Sequence, residues 1–329
     1  MAKRIVLADP RGFCAGVDRA ILTVQTILKA ASARVDGLPP VYVRRQIVHN
    51  RHVVEDLAAQ GAVFVQELAE IPDEAAAAGI PIVFSAHGVS PQVKAEAARR
   101  GMHVVDATCP LVSKVHREVL RFVREGYEII YIGHRGHDEA VGVVGEDPVH
   151  VHLIEHEADV DSLDFRTEQK LVLLTQTTLS IDETAGIIAA LKCRFPWMKE
   201  PPSSDICYAT SNRQAAVKLV AEQSHSVVIV GSANSSNSVR LMEVAQEALE
   251  ERGRAHRVDD ANELDPSWFD GVEAVGISSG ASVPDELVAG VIEALRAQGF
   301  TDVSTVETIK ENMHFVLPAE LRRKPSQAR

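Results

Sequence analysis

Eight short apolar runs, RIVLA, VYVRR, PIVFSA, HVVDA, EIIYIG, KLVLLT, SVVIVG and EAVGIS, recur along the chain with helix-like stretches between them. This βαβα rhythm predicts an α/β fold of mainly parallel sheets covered by helices. SPQVKAEAARRG and SNSVRLMEVAQEALEERG each place a serine where a helix needs a cap and a glycine where it closes. DEAAAAG, at 73–79, reads as a surface turn.

The chain has 329 residues, long for one compact core, which suggests two or three domains. Its formal net charge of -12 argues against gripping nucleic acid or an acidic membrane through a basic surface, so any anionic ligand must be held by local donors. The opening MAKRIVLADPRG contains one short apolar run that Asp9 and Pro10 break, so no signal-peptide core forms. Nor is there a run of about 18 apolar residues that would span a bilayer. A cytoplasmic protein is expected. There thiols stay reduced, and the four cysteines read as ligands, catalysts or buried small hydrophobes.

Three of those cysteines stand in comparable settings: Cys14 in GFCAGVDRA, Cys109 in DATCPLVSKVHRE and Cys207 in SDICYATSNRQAA, spaced 95 and 98 residues apart. Each precedes a helical stretch that gains a basic residue five or six positions later: Arg19, Lys114 and Arg213. Three similar α/β units with one cysteine each, at 1–108, 109–205 and 206–329, account for the spacing. So does chance among α/β segments of ordinary length. Cys193, in IIAALKCRFPW, lies outside the repeat and shares a helical face with Ala189 and Ala190, where a buried structural thiol is expected.

Zinc sites usually take thiolates in close pairs, and no CxxC occurs here. Three thiolates from distant segments better suit an iron-sulfur cluster. A 4Fe-4S cluster held by three cysteines keeps one iron free to act as a Lewis acid. Polar residues collect after several strands: His49 and Asn50; His87; His134, His137 and Glu139; Thr177 and Thr178; Ser235, Ser236 and Asn237; and Ser282. Ligands of open α/β sheets bind at these strand ends, where helix N-termini present free N–H groups. Stretches 231–238 and 278–284 hold no lysine or arginine, so an anion there relies on hydroxyls, amides and helix dipoles, each helix end worth ~0.3–2 kcal/mol. Each loop also has a plainer reading, serine or asparagine as a helix cap and His134 as a satisfied surface or core residue.

In order from residue 10 to residue 285, PRGFCAGVDRA, VHNRHVV, SAHGVS, DATCPLVSKVH, GHRGHDE, TQTTLS, DICYATSNRQ, GSANSSNS and SGASVPD resemble the motifs of the 4-hydroxy-3-methylbut-2-enyl diphosphate reductase (IspH/LytB) family. The resemblance implies three similar α/β units around a central 4Fe-4S cluster. It also implies reductive dehydroxylation of an allylic diphosphate to isopentenyl and dimethylallyl diphosphate, the last step of the methylerythritol phosphate route to isoprenoids. By the same resemblance Cys14, Cys109 and Cys207 are cluster ligands, and His49, His87, His137, Ser235, Ser236, Asn237 and Ser282 form the diphosphate pocket. Glu139 and Thr177 relay protons, with His137 beside them, and a ferredoxin or flavodoxin donates electrons. Asp138 stands where the family commonly has proline, and like-charge repulsion from it is expected to raise the pKa of Glu139. A hydro-lyase using a similar cluster without redox change, or a redox sensor or cluster carrier, is also consistent with three lone cysteines.

Overall fold

The computed structural model describes residues 3–31, 38–201 and 203–322. Among them run twelve strands: β1 (Lys3–Asp9), β2 (Val41–Arg44), β3 (Ala62–Val65), β4 (Pro81–Phe84), β5 (His103–Asp106) and β6 (Tyr127–Ile132), followed by β7 (Val151–Ile154), β8 (Lys170–Thr175), β9 (Ser226–Val230), β10 (Arg254–Val258), β11 (Ala274–Ser279) and β12 (Phe300–Glu307). They form three sheets, ordered β3-β2-β4-β5, β7-β6-β8 and β10-β9-β11-β1-β12. Every pairing between these strands is parallel. Parallel strands need crossovers that cover the sheet faces, and the central strands are accordingly apolar on both sides; all five residues of β9 and all six of β11 are buried.

The eight apolar runs of the sequence fall on β1, β2, β4, β5, β6, β8, β9 and β11. The other four strands are all sheet edges. The helix Ala15–Ala31 shows how the units are tied: its residues Val17, Ala20, Val24 and Ile27 pack on Val41, Val43, Val83 and Val105 of the first sheet. The strand just before it, however, belongs elsewhere.

The sheets depart from the expected divisions at that point. β1 lies between β11 and β12, so residues 3–9 join the sheet built from 226–307 instead of the one built from 41–106. Ile5, Val6 and Ala8 are almost fully buried and need cover on both faces. The C-terminal strands and Ala216 and Val220 of the helix Tyr208–Glu222 supply it. Cys14 therefore sits where the chain crosses from one sheet to another.

Two local expectations are corrected. DEAAAAG contains a short helix, Asp73–Ala77, because Ala75 packs fully buried against Leu68 and Ile80. Cys193 is exposed. The helix Ile181–Arg194 buries Thr184, Ile187 and Leu191, and Cys193 and Ala189 fall off that face. No described helix is long and apolar enough to cross a membrane.

Candidate active site

Strand ends from all three sheets point at one cavity. Its lining includes Cys14, Cys109, Cys207, His49, His87, His137, Glu139, Thr177, Ser235, Ser236, Asn237 and Ser282, every residue to which the family resemblance gives a role. Thr178 lines it as well. Asn50 and His134 do not. Asn50 caps the helix Arg51–Ala59 by accepting the Val53 N–H at 3.1 Å, and His134 pairs with Glu155 at 3.1 Å.

The three cysteines enter alike. Cys109 and Cys207 are the N-cap residues of Pro110–Arg124 and Tyr208–Glu222, and Cys14 directly precedes Ala15–Ala31. Each backbone N–H is stitched to a polar loop: Cys14 donates to Ala281 O (3.2 Å), Cys109 to Ala86 O (2.9 Å) and Cys207 to Thr177 O (3.0 Å). These acceptors adjoin or belong to Ser282, His87 and Thr177. Helix N-termini favour a thiolate, but burial opposes it. Burial pushes the Cys109 thiol up to about 12 and Cys207 to about 11, with neighbouring thiols adding to both, and it raises Cys14 against the pull of Arg213.

Gly16 shows how closely the sulfurs gather. A Cβ there would lie 2.6 Å from Cys109 Sγ and 3.8 Å from Cys14 Sγ, so the position has no room for a side chain.

The histidines form a second cluster. His49 and His87 stack with ring centroids 3.9 Å apart, and His137 meets them edge-on at 5.2 and 5.8 Å. Burial lowers all three pKa values, His137 to about 4, so the rings are uncharged near neutral pH. His137 caps the helix Asp138–Val144, its Nδ1 accepting the Glu139 N–H at 3.1 Å. Its ring proton is therefore on Nε2 and available as a donor. His49, His87 and Asp138 also bring one ligand atom each to within 4.8 Å of one another.

Asp138 does not act on Glu139 as expected. It forms an ion pair with Arg45, which also reaches Glu67 at 3.2 Å. Glu139 is fully buried, and burial first, with Asp205 contributing, raises its carboxyl to about 7 against two bonds from Thr177.

The hydroxyls that line the cavity are partly committed. Ser235 caps Ser236–Leu249, its Oγ accepting the Ser238 N–H at 3.4 Å, and Ser282 Oγ donates to His49 O at 3.0 Å. Thr178 donates to Ser236 Oγ at 3.1 Å and accepts from Gln176 at 2.8 Å. Gln176 is fully buried and also accepts the His134 N–H, so it braces two site loops. The sequence reading missed it, although its place between a strand and TTLS was the available signal. Asn237 is different: it is 6% exposed, and neither its Oδ1 nor its Nδ2 has a protein partner. A buried amide with both ends unpaired is matched to a ligand.

The pattern that defines the LytB protein family matches residues 5–296. The chain belongs to the LytB family. A LytB-family relative from Bifidobacterium longum, named 4-hydroxy-3-methylbut-2-enyl diphosphate reductase, is 83% identical over 98% of this chain and 94% of its own length. Among solved structures, the E-1-hydroxy-2-methyl-but-2-enyl-4-diphosphate reductase from Plasmodium falciparum superposes with a TM-score of 0.91 at 36% identity, covering 98% of this chain and 97% of that one. A second, (E)-4-hydroxy-3-methyl-but-2-enyl diphosphate reductase, described as the terminal enzyme of the non-mevalonate pathway, gives 0.61 at 29% identity over 90% and 99%. The LytB fold thus accounts for the three parallel sheets.

Proposed function

We propose that this chain is a 4-hydroxy-3-methylbut-2-enyl diphosphate reductase, converting its allylic substrate to isopentenyl and dimethylallyl diphosphate as the terminal step of the non-mevalonate pathway. The observation that carries the reading is one cavity lined by three cysteines, an amide with both polar atoms unpaired, the Nε2–H of His137 and a buried protonatable carboxyl. The identity to named reductases along nearly the whole chain supports it.

The donor set fits an iron-sulfur cluster. Three half-buried thiols that each resist ionisation, with Cys14 raising both Cys109 and Cys207, become thiolates together only against concentrated positive charge, and iron supplies it. Cys14, Cys109 and Cys207 would hold a 4Fe-4S cluster. When bound, it would supply single electrons and, at the iron without a protein thiolate, a Lewis acid.

The remaining steps belong to the chain's own residues. His137 Nε2, the Asn237 amide and the Ser236 hydroxyl bind the diphosphate through hydrogen bonds, with His49, His87, Ser235 and Ser282 closing the pocket, and need no lysine or arginine. The reaction consumes two electrons and two protons and releases water. One proton leaves with the substrate hydroxyl oxygen, and the other adds to either end of the allyl unit, which yields the two isomeric products. Glu139 holds the first proton, and Thr177, whose hydroxyl lies 2.8 Å from Glu139 Oε2, passes it across the cavity. Electrons would come from a ferredoxin- or flavodoxin-type protein in the cytoplasm.

Anaerobic purification followed by iron and sulfide analysis and an assay with a low-potential one-electron reductant tests the reading. The expected result is a four-iron cluster per chain and conversion of the substrate to both diphosphates at the expense of two electrons. Turnover without consumption of reductant would make the protein a hydro-lyase, and failure to bind allylic diphosphates would leave a cluster carrier.

A further inference from the structure

The basic residues that follow the three cysteines each reach the loop of a different cysteine. Arg19, on the helix after Cys14, donates from Nη1 to Thr108 O at 3.0 Å and from Nη2 to Asp106 O at 3.4 Å, just ahead of Cys109. Lys114, on the helix after Cys109, places Nζ 2.8 Å from Asp205 Oδ1 and 3.4 and 3.5 Å from the carbonyls of Ser204 and Ser203, ahead of Cys207. Arg213, on the helix after Cys207, donates to Gly12 O from Nη2 at 2.8 Å and from Nε at 3.2 Å, and to Phe13 O at 3.4 Å, immediately ahead of Cys14. The order 14 to 109 to 207 to 14 closes on itself.

These contacts are built into the interior. Arg213 is 0% exposed, and its charge is met by Glu311, 3.0 Å from Nη1. The Asp205 carboxylate is likewise buried, and its other oxygen accepts the Thr175 N–H at 3.1 Å, which leaves Lys114 as its ionic partner beside Glu118. Arg19 commits Nε, Nη1 and Nη2 to three carbonyls, those of Val316, Thr108 and Asp106. A long side chain bonded only within its own helix would support that helix alone. Here the charged donors instead fasten the chain just upstream of another helix, where a loop without such donors would be free to shift.

We propose that Arg19, Lys114 and Arg213 are positioning residues that form a cyclic clamp, each holding the loop of the next cysteine so that the three thiols converge. Releasing one member loosens the cysteine ahead of it in the cycle and leaves the one on its own helix in place. The clamp's purpose, though not its geometry, rests on the reading that these cysteines hold a cluster.

The test is pulsed alkylation of the cluster-free full-length chain with N-ethylmaleimide, each cysteine quantified by mass spectrometry. Arg19→Gln should speed labelling of Cys109, Lys114→Gln that of Cys207 and Arg213→Lys that of Cys14. Each should rise at least about tenfold, the factor given by roughly 1.4 kcal/mol of lost charge-assisted bonding, with the cysteine on the variant's own helix within about twofold of wild type. Where a glutamine variant fails to fold by circular dichroism, Arg19→Lys and Lys114→Met replace it. Faster labelling of the cysteine on the variant's own helix, uniform acceleration of all three in a folded variant, or no change in any would each overturn the clamp. In the loaded protein the same variants should lose iron to a chelator faster than wild type, with an altered electron paramagnetic resonance signal in the reduced state. If wild type binds no iron and sulfide, the cluster reading fails while the labelling pattern still decides the clamp.

Discussion

Thr177 occupies both oxygens of Glu139: its N–H donates to Oε1 and its hydroxyl to Oε2, each at 2.8 Å. Two such bonds favour the carboxylate, yet full burial wins and leaves the group at about 7. A carboxyl that is half protonated near neutral pH, with a hydroxyl already against it, is equipped to give up a proton on demand.

Glu139→Gln keeps the shape but cannot release a proton. Turnover is expected to fall by at least about a hundredfold with little change in substrate affinity, measured as kcat against Kd. The wild-type rate should decline as pH rises through about 7, where the acid form is lost. Folding follows the same sign. The folded pKa exceeds the ordinary 4.5, so this group's contribution is complete below that value and is lost as pH rises through about 7, at up to about 1.4 kcal/mol per pH unit. Urea midpoints should show that slope in wild type, and it should be smaller in the variant.

Thr177→Val preserves the backbone bond to Oε1 and removes the hydroxyl bond to Oε2. That bond lowers the Glu139 pKa, so its loss raises it further, and the alkaline limb of the pH–rate profile should move upward by up to about one unit. An unmoved limb with an unchanged rate would show that the hydroxyl neither tunes nor relays.

Asn237 and Ser235 should separate binding from stability. Asn237→Ala removes an amide that has no protein partner, so the ligand-free protein should melt at or slightly above the wild-type temperature while diphosphate affinity drops by roughly 1–3 kcal/mol. Ser235→Ala also removes the cap of Ser236–Leu249 and should destabilise the fold by about 0.5–2 kcal/mol. Calorimetric melting with titration of the substrate checks both.

Gly16→Ala improves helix propensity by roughly 0.5–1 kcal/mol but drives a methyl to 2.6 Å from Cys109 Sγ. The variant should fold with a normal far-ultraviolet spectrum and carry little iron or sulfide after anaerobic reconstitution. Full iron content would mean that the Cys109 loop can retreat without penalty.

Serine replacement of Cys14, Cys109 or Cys207 should each strip or cripple the cluster, since a hard hydroxyl replaces a soft thiolate poorly. Cys193→Ser should leave its visible absorption intact, and the exposed Cys193 should be the first thiol to react in the native chain.

The sequence by itself determined the α/β class and the eight strands that carry its apolar runs, because periodicity and caps act within a few residues; strand-end polarity pointed toward the cavity but also picked Asn50 and His134, which do not line it. β3, β7, β10 and β12 were not legible. They are edge strands, half in water, and runs such as FTDVSTVE and RAHRV need no continuous apolar face. Tertiary structure alone decided the rest. Whether β1 joins the first sheet or the last depends on which distant strands flank it. Arg45 turns Asp138 into an ion-pair partner, and Asp205, 66 positions from Glu139 along the chain, supplies the charge that a neighbour was expected to provide. Arg19, Lys114 and Arg213 could be seen at their spacing but not at their targets, because hydrogen bonds and the dielectric around a buried charge are set by packing between segments far apart in sequence.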